Sequence, residues 1–362
     1  MTKTVEEIET LGEIMRVAHE KLSREHWDYL IGGSETETTL LRNRQSLDEI
    51  AFRPRVLNDV SEINPSAELF GRKRRLPIVL APIGSAEQLD PAGMLPAAKA
   101  AAEFGVDIIK SSVAIPDIEE AAEKSGADLI FQLYVRGDDD WIYEYVKRVE
   151  AAGYVGFCLT VDSAQYGRRE RDKVKGFSPA QRTHVSGVNY QAALDWGVVE
   201  RLRKQTKLPL ILKGIATAED AEIAVKLGVD VIYISNHGGR QLDHGRGAIE
   251  VLPEVVDAIG DQATVIIDGG FYHGADILKA IALGADAVGL GRLYGFGLAA
   301  FGQTGVQRVL EILAAEITNS MALLGVTSLA QLSPDHVHPA APVRLPGPTS
   351  AFHLFDVDDG PY

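Results

Sequence analysis

The chain has 362 residues, 46% of them hydrophobic, which is enough to bury the core of one large α/β domain or of two ordinary ones. Its formal net charge of −15 at pH 7 argues against a nucleic-acid partner, because binding to a phosphate backbone requires a basic face. The single cysteine, Cys158, excludes an internal disulfide framework, so we expect a reducing, cytoplasmic compartment.

Residues 1–75 form the first predicted segment. Its first 22 residues are charged and have helical periodicity, without the apolar core of a signal peptide. The remainder predicts further helices and a short β-like cap over the entrance or the base of the next domain. The sequence contains no run of about 18 apolar residues, so we expect neither a membrane-spanning segment nor a membrane partner.

Residues 76–338 repeat a pattern in which a helical stretch ends at glycine and a short apolar run follows. Four copies place aspartate directly before the apolar run: FGVDIIK, SGADLIFQLY, LGVDVIYIS and LGADAVGLG. Glycine tolerates the left-handed conformation that ends a helix, and a continuous Val/Ile/Leu run is typical of a strand buried on both faces. The whole segment predicts eight strands, which favours a closed (β/α)8 TIM barrel over an open sheet.

Two further segments interrupt or follow this pattern. The interval from Asp162 to Lys213 is about twice the usual one, so an insertion after strand 4, at about 174–196, is predicted as a surface loop or lid. Residues 339–362 are rich in proline and aspartate, which predicts an extended or disordered C-terminal tail.

Polar residues gather at the carboxyl ends of the predicted strands, where barrels of this type carry their active sites. A single Tyr or Ser of this kind is most often a satisfied strand-end group, but the whole set indicates a site. The glycine-rich turns at 268–270 and 289–292 follow strands 7 and 8, where barrels commonly bind phosphate through backbone N–H groups. Because Arg292 would add a bidentate charge, a phosphate-bearing ligand is expected. The strand-end residues are Gln132, Tyr134, Thr160, Asp162, Lys213, Ser235, His237, Asp268 and Arg292.

Two of these positions suggest specific chemistry. Lys213 could supply a Schiff-base amine, as in barrel aldolases, or a fixed cation beside an electron-rich ring, and its position does not decide between them. His237 offers a proton acceptor close to Arg240, which could clamp a carboxylate. Asp162 could stabilise the imidazolium that forms when His237 accepts a proton.

These residues resemble the FMN-dependent 2-hydroxy acid oxidases and dehydrogenases, which include glycolate-, lactate- and mandelate-oxidising enzymes. The resemblance runs from about Asp28 to Ile317, and its motifs are FQLYV (131–135), LTVD (159–162), GRRE (167–170), LKG (212–214), SNHGGRQLD (235–243), DGG (268–270) and GLGR (289–292). It implies FMN as the cofactor, a 2-hydroxy acid of (S) configuration as the small-molecule substrate, and a homotetramer.

The resemblance also implies a role for each matching residue. The residues implied to act on or contact the substrate are the base His237 with its partner Asp162, the carboxylate-binding Arg169 and Arg240, and Tyr29 and Tyr134. Lys213 would stabilise the negative charge of the reduced flavin. The residues implied around the flavin ring and ribityl chain are Ile83, Gly84, Ser111, Gln132, Thr160, Lys213 and Ser235. Those implied around ribityl and phosphate are Asp268, Gly270, Gly291 and Arg292, and no metal is expected.

Three features depart from the family pattern. Tyr272 stands where the family usually has an arginine for the phosphate, so FMN is expected to bind less tightly unless His273 or Arg72 replaces that contact. Val113 occupies a position that is Trp in the glycolate oxidases, and the loop after strand 4 is shorter than usual. Because both changes leave room, we expect a bulkier, aromatic or branched, 2-hydroxy acid rather than glycolate.

The electron acceptor is predicted from features that the sequence lacks. The segment at 173–196 is short and polar, unlike the apolar insertion of quinone-linked relatives, and the residues before Asp28 are too few for a haem domain. Dioxygen is therefore the expected acceptor, giving hydrogen peroxide. Gly84 would leave space for oxygen near the flavin, although small residues at this position also occur in dehydrogenases that use another soluble acceptor.

Alternatives from other functional classes stay open at this point. An FMN-dependent isomerase of isoprenoid diphosphates uses the same barrel, but it needs a basic diphosphate pocket and has no use for His237, Arg240 and Arg169 together. A flavin-free lysine aldolase, or a barrel that binds a ligand without turnover, would also place a lysine at the end of a strand.

Overall fold

The computed structural model describes residues 3–177 and 189–354, and eight parallel strands close into a barrel. In chain order the strands are β1 (Ile78–Leu80), β2 (Asp107–Ser111), β3 (Leu129–Leu133), β4 (Gly156–Thr160), β5 (Leu210–Ile215), β6 (Val231–Ile234), β7 (Thr264–Asp268) and β8 (Ala287–Leu290). Each strand pairs with the next along the chain, and β8 pairs with β1. The predicted (β/α)8 barrel is therefore confirmed.

Helices surround the barrel and precede it. In chain order they are α1 (Leu11–Lys21), α2 (Arg24–Ile31), α3 (Thr38–Asp48), α4 (Leu95–Phe104), α5 (Ile118–Ser125), α6 (Asp139–Ala151), α7 (Glu170–Val174), α8 (Trp196–Gln205), α9 (Ala218–Lys226), α10 (Ala248–Ile259), α11 (Gly274–Ala282) and α12 (Arg292–Leu324). The glycines of the repeat end helices as expected: Gly105 and Gly126 have φ of 89° and 68°. Helix α12 is interrupted at Phe301 and Gly302, where the backbone leaves the helical region.

The strands are apolar on both faces because each face packs against other residues. Side chains that point inward fill the barrel lumen, among them Ile109, Cys158 and Tyr233, all at most 1% exposed. Side chains that point outward pack against the surrounding helices in a second, larger cluster. This arrangement explains why the predicted strands are continuous apolar runs rather than alternating patterns.

The segment before the barrel reaches both of its ends. The antiparallel strands Ala67–Leu69 and Arg72–Arg74 lie at the amino-terminal end, where Leu69 packs into the lumen and Arg74 pairs with Asp107 at 2.6 Å. Helix α2 lies at the opposite end and brings Tyr29 to the carboxyl ends of the strands. The predicted cap thus consists of a strand pair at the base and a helix at the entrance.

The part of the C-terminal tail that the structure describes ends at residue 354, so the extended or disordered form expected for 339–362 stays a prediction. The strand Val337–Pro339 pairs with Ile50–Phe52, and no helix or strand occurs in the described residues after it. Phe352 is nevertheless only 3% exposed, whereas Leu345 and Leu354 are 91% and 68% exposed. One aromatic side chain therefore anchors this part of the tail. The predicted boundaries at 75/76 and 338/339 stay predictions.

The predicted insertion between β4 and α8 is described only in part, because residues 178–188 lie outside the described residues. Helix α7 and residues 189–195 belong to this connection, and Gln191 bridges two strand ends: its side chain accepts from Val135 N at 2.6 Å and donates to Thr160 O at 2.7 Å. Within the described ranges, no helix is long and apolar enough to cross a lipid bilayer.

Candidate active site

A cavity of about 430 Å³ opens at the carboxyl ends of the barrel strands, a size typical of small-molecule and cofactor sites. Parallel strands place all their carboxyl ends on one face, so the residues that follow different strands converge here. Of the residues predicted to contact substrate or cofactor, those that line the cavity are Tyr29, Ile83, Gly84, Tyr134, Arg169, Lys213, His237, Arg240, Asp268, Gly270, Gly291 and Arg292.

His237 lies at the centre of this set, between a carboxylate and a phenol. Its Nδ1 lies 3.0 Å from Asp162 Oδ1, and its Nε2 lies 3.1 Å from the Tyr134 hydroxyl. Its backbone has φ of 60°, and its N–H donates to Ser235 Oγ at 3.0 Å. A left-handed residue other than glycine is uncommon and occurs most often where the surrounding structure imposes it, as in active sites.

The electrostatic environment leaves His237 neutral and Asp162 ionised. Burial lowers the pKa of His237 below its usual value, although Asp162 acts in the opposite direction. Burial by itself would raise the pKa of Asp162, but His237 and Lys213 outweigh it and hold that pKa below the usual range. Because an ionised carboxylate only accepts hydrogen bonds, Nδ1–H donates to Asp162 and the lone pair of Nε2 faces Tyr134. The site therefore holds a base that is ready to accept a proton.

Two arginines flank Tyr29 on the wall of the cavity. The guanidinium carbons of Arg240 and Arg169 lie 5.0 Å and 5.9 Å from the centre of the Tyr29 ring. The Tyr29 hydroxyl donates to Gly84 O at 2.9 Å, and Arg240 donates to Gly32 O at 2.8 Å. Two cations on one wall of a cavity are suited to bind a carboxylate.

Lys213, on β5, is held by groups at the ends of two neighbouring strands. Its ammonium group donates to Ser235 Oγ at 2.8 Å and lies 3.3 Å from Asp268 Oδ2. Burial by itself would lower the pKa of Lys213, but Asp268 and Asp162 outweigh it and raise that pKa. Lys213 is therefore a fixed cation at the floor of the cavity.

Four predicted cofactor residues do not line the cavity, although they belong to the same strand ends. Ser111 donates to Gln132 Oε1 at 2.8 Å, and Gln132 donates to Thr160 Oγ1 at 2.9 Å. These three side chains and Ser235 are at most 1% exposed. Ser111, Gln132 and Thr160 form a buried hydrogen-bonded row across β2, β3 and β4, while Ser235 accepts from Lys213 and donates to Asp268.

The turn after β7 is fixed by an ion pair that the sequence analysis did not identify. Arg44 of α3 contacts both oxygens of Asp276 at 2.7 and 2.9 Å and also donates to Gly270 O at 3.0 Å. Asp276 in turn accepts the backbone N–H groups of Tyr272 and His273 at 3.1 Å. The position of Asp276, three residues after the residue that precedes α11, is a recognisable capping signal. No local sequence pattern indicates that Arg44 binds Asp276, because the two residues are 232 positions apart.

Neither of the two residues that could replace the phosphate arginine of the family lines the cavity. Arg72 lies at the amino-terminal end of the barrel, 3.8 Å from Asp128, so the suggestion that it replaces this contact is wrong. His273 contacts Glu316 and Ala351 O instead. Arg292 lines the cavity and donates to the carbonyls of Ile31 and Gly32, and its burial lowers its pKa to about 10.

The donor set of the cavity fits FMN. Lys213 supplies a buried cation at the floor, and two glycine-rich turns with Arg292 lie at the ends of β7 and β8, as the phosphate sites of barrels require. Among the described residues, no group of three or more His, Cys, Asp or Glu side chains is arranged to hold a metal ion.

Comparison with known proteins gives one consistent result. The family described as FMN-dependent dehydrogenase matches residues 18–339. A peroxisomal (S)-2-hydroxyacid oxidase of Arabidopsis thaliana is 39% identical over 352 residues, which cover 92% of this chain and 97% of the relative. An L-lactate oxidase of Nostoc is 38% identical over 355 residues, 91% of this chain and 97% of the relative.

Solved structures agree with the sequence relatives. A structure of mandelate oxidase with benzoyl-formic acid superposes with a TM-score of 0.86 at 38% identity, covering 93% of this chain and 100% of that chain. Fold, cavity chemistry and sequence therefore agree: this chain belongs to the FMN-dependent dehydrogenase family and is an FMN-dependent oxidoreductase.

Proposed function

We propose that this protein oxidises an (S)-2-hydroxy acid to the 2-oxo acid and passes the two electrons to dioxygen. In net terms the substrate loses two protons, one from its hydroxyl group and one from its α-carbon, together with two electrons, and dioxygen takes up both protons and both electrons to become hydrogen peroxide. The observation that carries the proposal is the position of neutral His237 in the same cavity as Arg169 and Arg240.

The two arginines would bind the substrate carboxylate. Both lie against Tyr29, and a guanidinium group offers a planar pair of donors that matches a carboxylate. A carboxylate fixed in this way would present the neighbouring hydroxyl-bearing carbon to the base. Binding and orientation of this kind reduce the entropic cost of the reaction.

His237 would accept the proton at Nε2. Asp162 holds the ring by its Nδ1–H and stabilises the imidazolium that forms, so the pair acts as base and support. The Tyr134 hydroxyl, 3.1 Å from Nε2, contacts the same atom and would contact the substrate hydroxyl beside it.

FMN, when bound, supplies the acceptor for the two electrons of the substrate. Ile83, Gly84 and Lys213 would hold its ring system, and Gly270, Gly291 and Arg292 its phosphate. The fixed ammonium group of Lys213 would stabilise negative charge that develops on the ring.

The cavity favours a substrate larger than glycolate. Val113, Ile83, Tyr166 and Tyr190 are among the residues that line it. A Cβ atom at Gly84 would lie 2.8 Å from Val113 Cγ2, so the small residue at 84 accommodates the branched one at 113. An aromatic or branched side chain is the substrate group that such a surface would contact. The mandelate oxidase structure with benzoyl-formic acid shows that a similar chain binds an aromatic 2-oxo acid.

The aldolase alternative does not agree with the state of Lys213. A Schiff-base lysine must be neutral to attack a carbonyl, and such lysines have lowered pKa values. Here Asp268 and Asp162 raise the pKa of Lys213, which keeps it a cation. A cytoplasmic location and a homotetramer stay predictions, and the Arabidopsis relative is named as peroxisomal.

The proposal is tested by reducing the holoenzyme without oxygen and then admitting air. A panel of (S)- and (R)-2-hydroxy acids is added anaerobically, and loss of the flavin absorbance is followed for each. We expect fast bleaching by (S)-acids with aromatic or branched side chains, slower bleaching by glycolate, and none by (R)-acids.

Air is then admitted while reoxidation and peroxide are measured together. We expect reoxidation within seconds with one peroxide formed per flavin. Reoxidation that takes minutes, with turnover restored by an artificial dye, would make the protein a dehydrogenase that uses another soluble acceptor. Failure of every 2-hydroxy acid to bleach the flavin would overturn the proposed substrate class.

A further inference from the structure

The described part of the C-terminal tail reaches the turn that follows β7. Phe352 packs edge to face against Tyr272, with ring centres 5.1 Å apart. It also contacts His273 and Phe296, at 5.9 and 6.1 Å. Phe352 is 3% exposed, so this contact is part of the folded core although the chain around it forms no helix or strand.

His273 joins the tail to the body of the barrel by two polar contacts. Its Nδ1 lies 3.0 Å from Glu316 Oε1 on α12, and its Nε2 lies 3.0 Å from the carbonyl oxygen of Ala351. Glu316 also accepts the N–H of Gly274 at the start of α11. Because Ala351 precedes Phe352, the tail is held at two adjacent residues by the two adjacent residues of the turn, Tyr272 and His273.

Tyr272 connects this contact to the cavity. It is 5% exposed, lines the cavity, and has Phe296 and Phe352 around its ring. The nearby cation Arg44 is occupied by Asp276, Asp48 and Gly270 O. Tyr272, supported by two phenylalanine rings rather than by a further cation, therefore lines this side of the cavity.

We propose that the tail residues 351–352 support the cofactor site: they hold in place Tyr272 and the turn at 269–272, which form the wall at the phosphate end of FMN. The inference rests on the proposed placement of the phosphate at the turns after β7 and β8. A wall of this kind keeps water away from the phosphate, and charge-assisted hydrogen bonds to Arg292 and to backbone N–H groups are stronger where water is excluded.

The test compares FMN with riboflavin, which has the same ring system and no phosphate. Dissociation constants of both flavins are measured by fluorescence titration of the full-length apoprotein, as wild type, Phe352→Ala and Leu354→Ala. We expect Phe352→Ala to raise the FMN dissociation constant by about threefold to tenfold, the scale of one lost aromatic pair, and to leave riboflavin binding unchanged. Leu354 is 68% exposed, so Leu354→Ala should bind both flavins as the wild type does.

Two further variants separate the possible failures. Arg292→Met tests the phosphate placement, because it should weaken FMN and not riboflavin; equal weakening of both would overturn that placement. If Arg292→Met is selective for FMN while Phe352→Ala leaves FMN binding unchanged, the role of the tail is overturned and the phosphate site stands.

Phe352→Leu controls for misfolding of Phe352→Ala, because leucine keeps an apolar side chain at the same position. It should bind FMN with an affinity between those of wild type and Phe352→Ala. Equal weakening of FMN and riboflavin by both Phe352 variants would show a general loss of structure and overturn the inference.

Discussion

At the scale of single residues, the neighbours of His237 determine its tautomer and its charge state, and so its ability to act as a base. A histidine after a strand has no fixed role, but here Asp162 fixes the tautomer and burial keeps the ring neutral. For the Lys213 ammonium the balance is the reverse, because Asp268 and Asp162 outweigh the effect of burial and keep it a cation. One ionisable group in the cavity is thus neutral and the other charged, and the balance between burial and nearby carboxylates decides each state.

Replacing His237 by glutamine should strongly slow substrate oxidation and leave FMN bound. The glutamine amide can still donate to Asp162, but it has no basic nitrogen, so anaerobic flavin reduction should slow by about 10²- to 10⁴-fold. Stopped-flow absorbance measures this rate. His244→Gln is the matched control, because His244 also has a positive φ, of 58°, and its side chain is 63% exposed. Near-normal bleaching by His237→Gln would remove His237 from its role.

The pH dependence of kcat/KM should follow the protonation of His237. Burial lowers the pKa of His237, so the ring is neutral and active above that pKa and protonated and inactive below it. We therefore expect kcat/KM to fall with decreasing pH along a limb that lies below the usual value of about 6.5. Asp162→Asn removes the charge that favours the imidazolium, so its limb should lie at still lower pH. An acid limb centred above pH 6.5 would contradict the assignment.

At the scale of elements, the floor of the cavity depends on a large residue on β6 and a small residue on β8, the two strands on either side of β7. Tyr233 of β6 points into the lumen, and a Cβ atom at Gly289 of β8 would lie 1.9 Å from its hydroxyl oxygen. Gly289 lines the cavity, so the phenol occupies the space directly beneath the cavity floor. A tyrosine at 233 on β6 therefore requires a glycine at 289 on β8.

Gly289→Ala should lower the free energy of unfolding of the apoprotein by about 1 to 3 kcal/mol, the usual cost of overpacking a core. Urea denaturation followed by circular dichroism measures this change. Gly291→Ala is the control, because no heavy atom lies within 4 Å of a Cβ atom at that position.

The contact with Tyr233 is tested by a second substitution in the same chain. Tyr233→Leu removes the ring, so the double variant Tyr233→Leu/Gly289→Ala should lose less stability than the sum of the two single variants. Simple additivity would show that the alanine does not meet the phenol.

At the scale of the whole molecule, one end of the barrel carries the cavity and the other end contributes to stability. The carboxyl ends carry the cavity, while the strand pair at 67–74 packs Leu69 into the opposite end of the lumen. Arg74 joins that pair to Asp107 and Asp128. A barrel with its site at one end can be weakened at the other end without loss of its chemistry.

Leu69→Ala should lower the free energy of unfolding by about 2 to 5 kcal/mol, because it leaves a cavity in the lumen. Its anaerobic rate of flavin reduction should stay within about twofold of the wild type at a temperature where both proteins are folded. Leu323→Ala, at a residue that is 68% exposed, is the stability control. A large loss of the reduction rate in folded Leu69→Ala would show that the two ends are coupled.

The sequence by itself determined the barrel and most of the side chains of the cavity. Eight apolar runs of the correct length, most of them preceded by glycine and followed by polar residues, are compatible with few folds, because strands buried on both faces require helices outside and a filled lumen inside. Parallel strands then bring their carboxyl ends together, so the predicted neighbourhood of Lys213, His237 and Asp268 follows from the order of the strands alone.

Only the tertiary structure decided how these groups act. The charge states of His237 and Lys213 depend on burial and on distances of about 3 Å to carboxylates on other strands. Arg44 anchors the turn after β7 through Asp276, which is 232 positions away in the sequence. Phe352 contacts Tyr272, which is 80 positions away, and is a buried side chain in an otherwise polar tail. Composition and periodicity report local preference and burial. They contain no information on which distant residue meets a given turn, because that depends on how the complete chain packs.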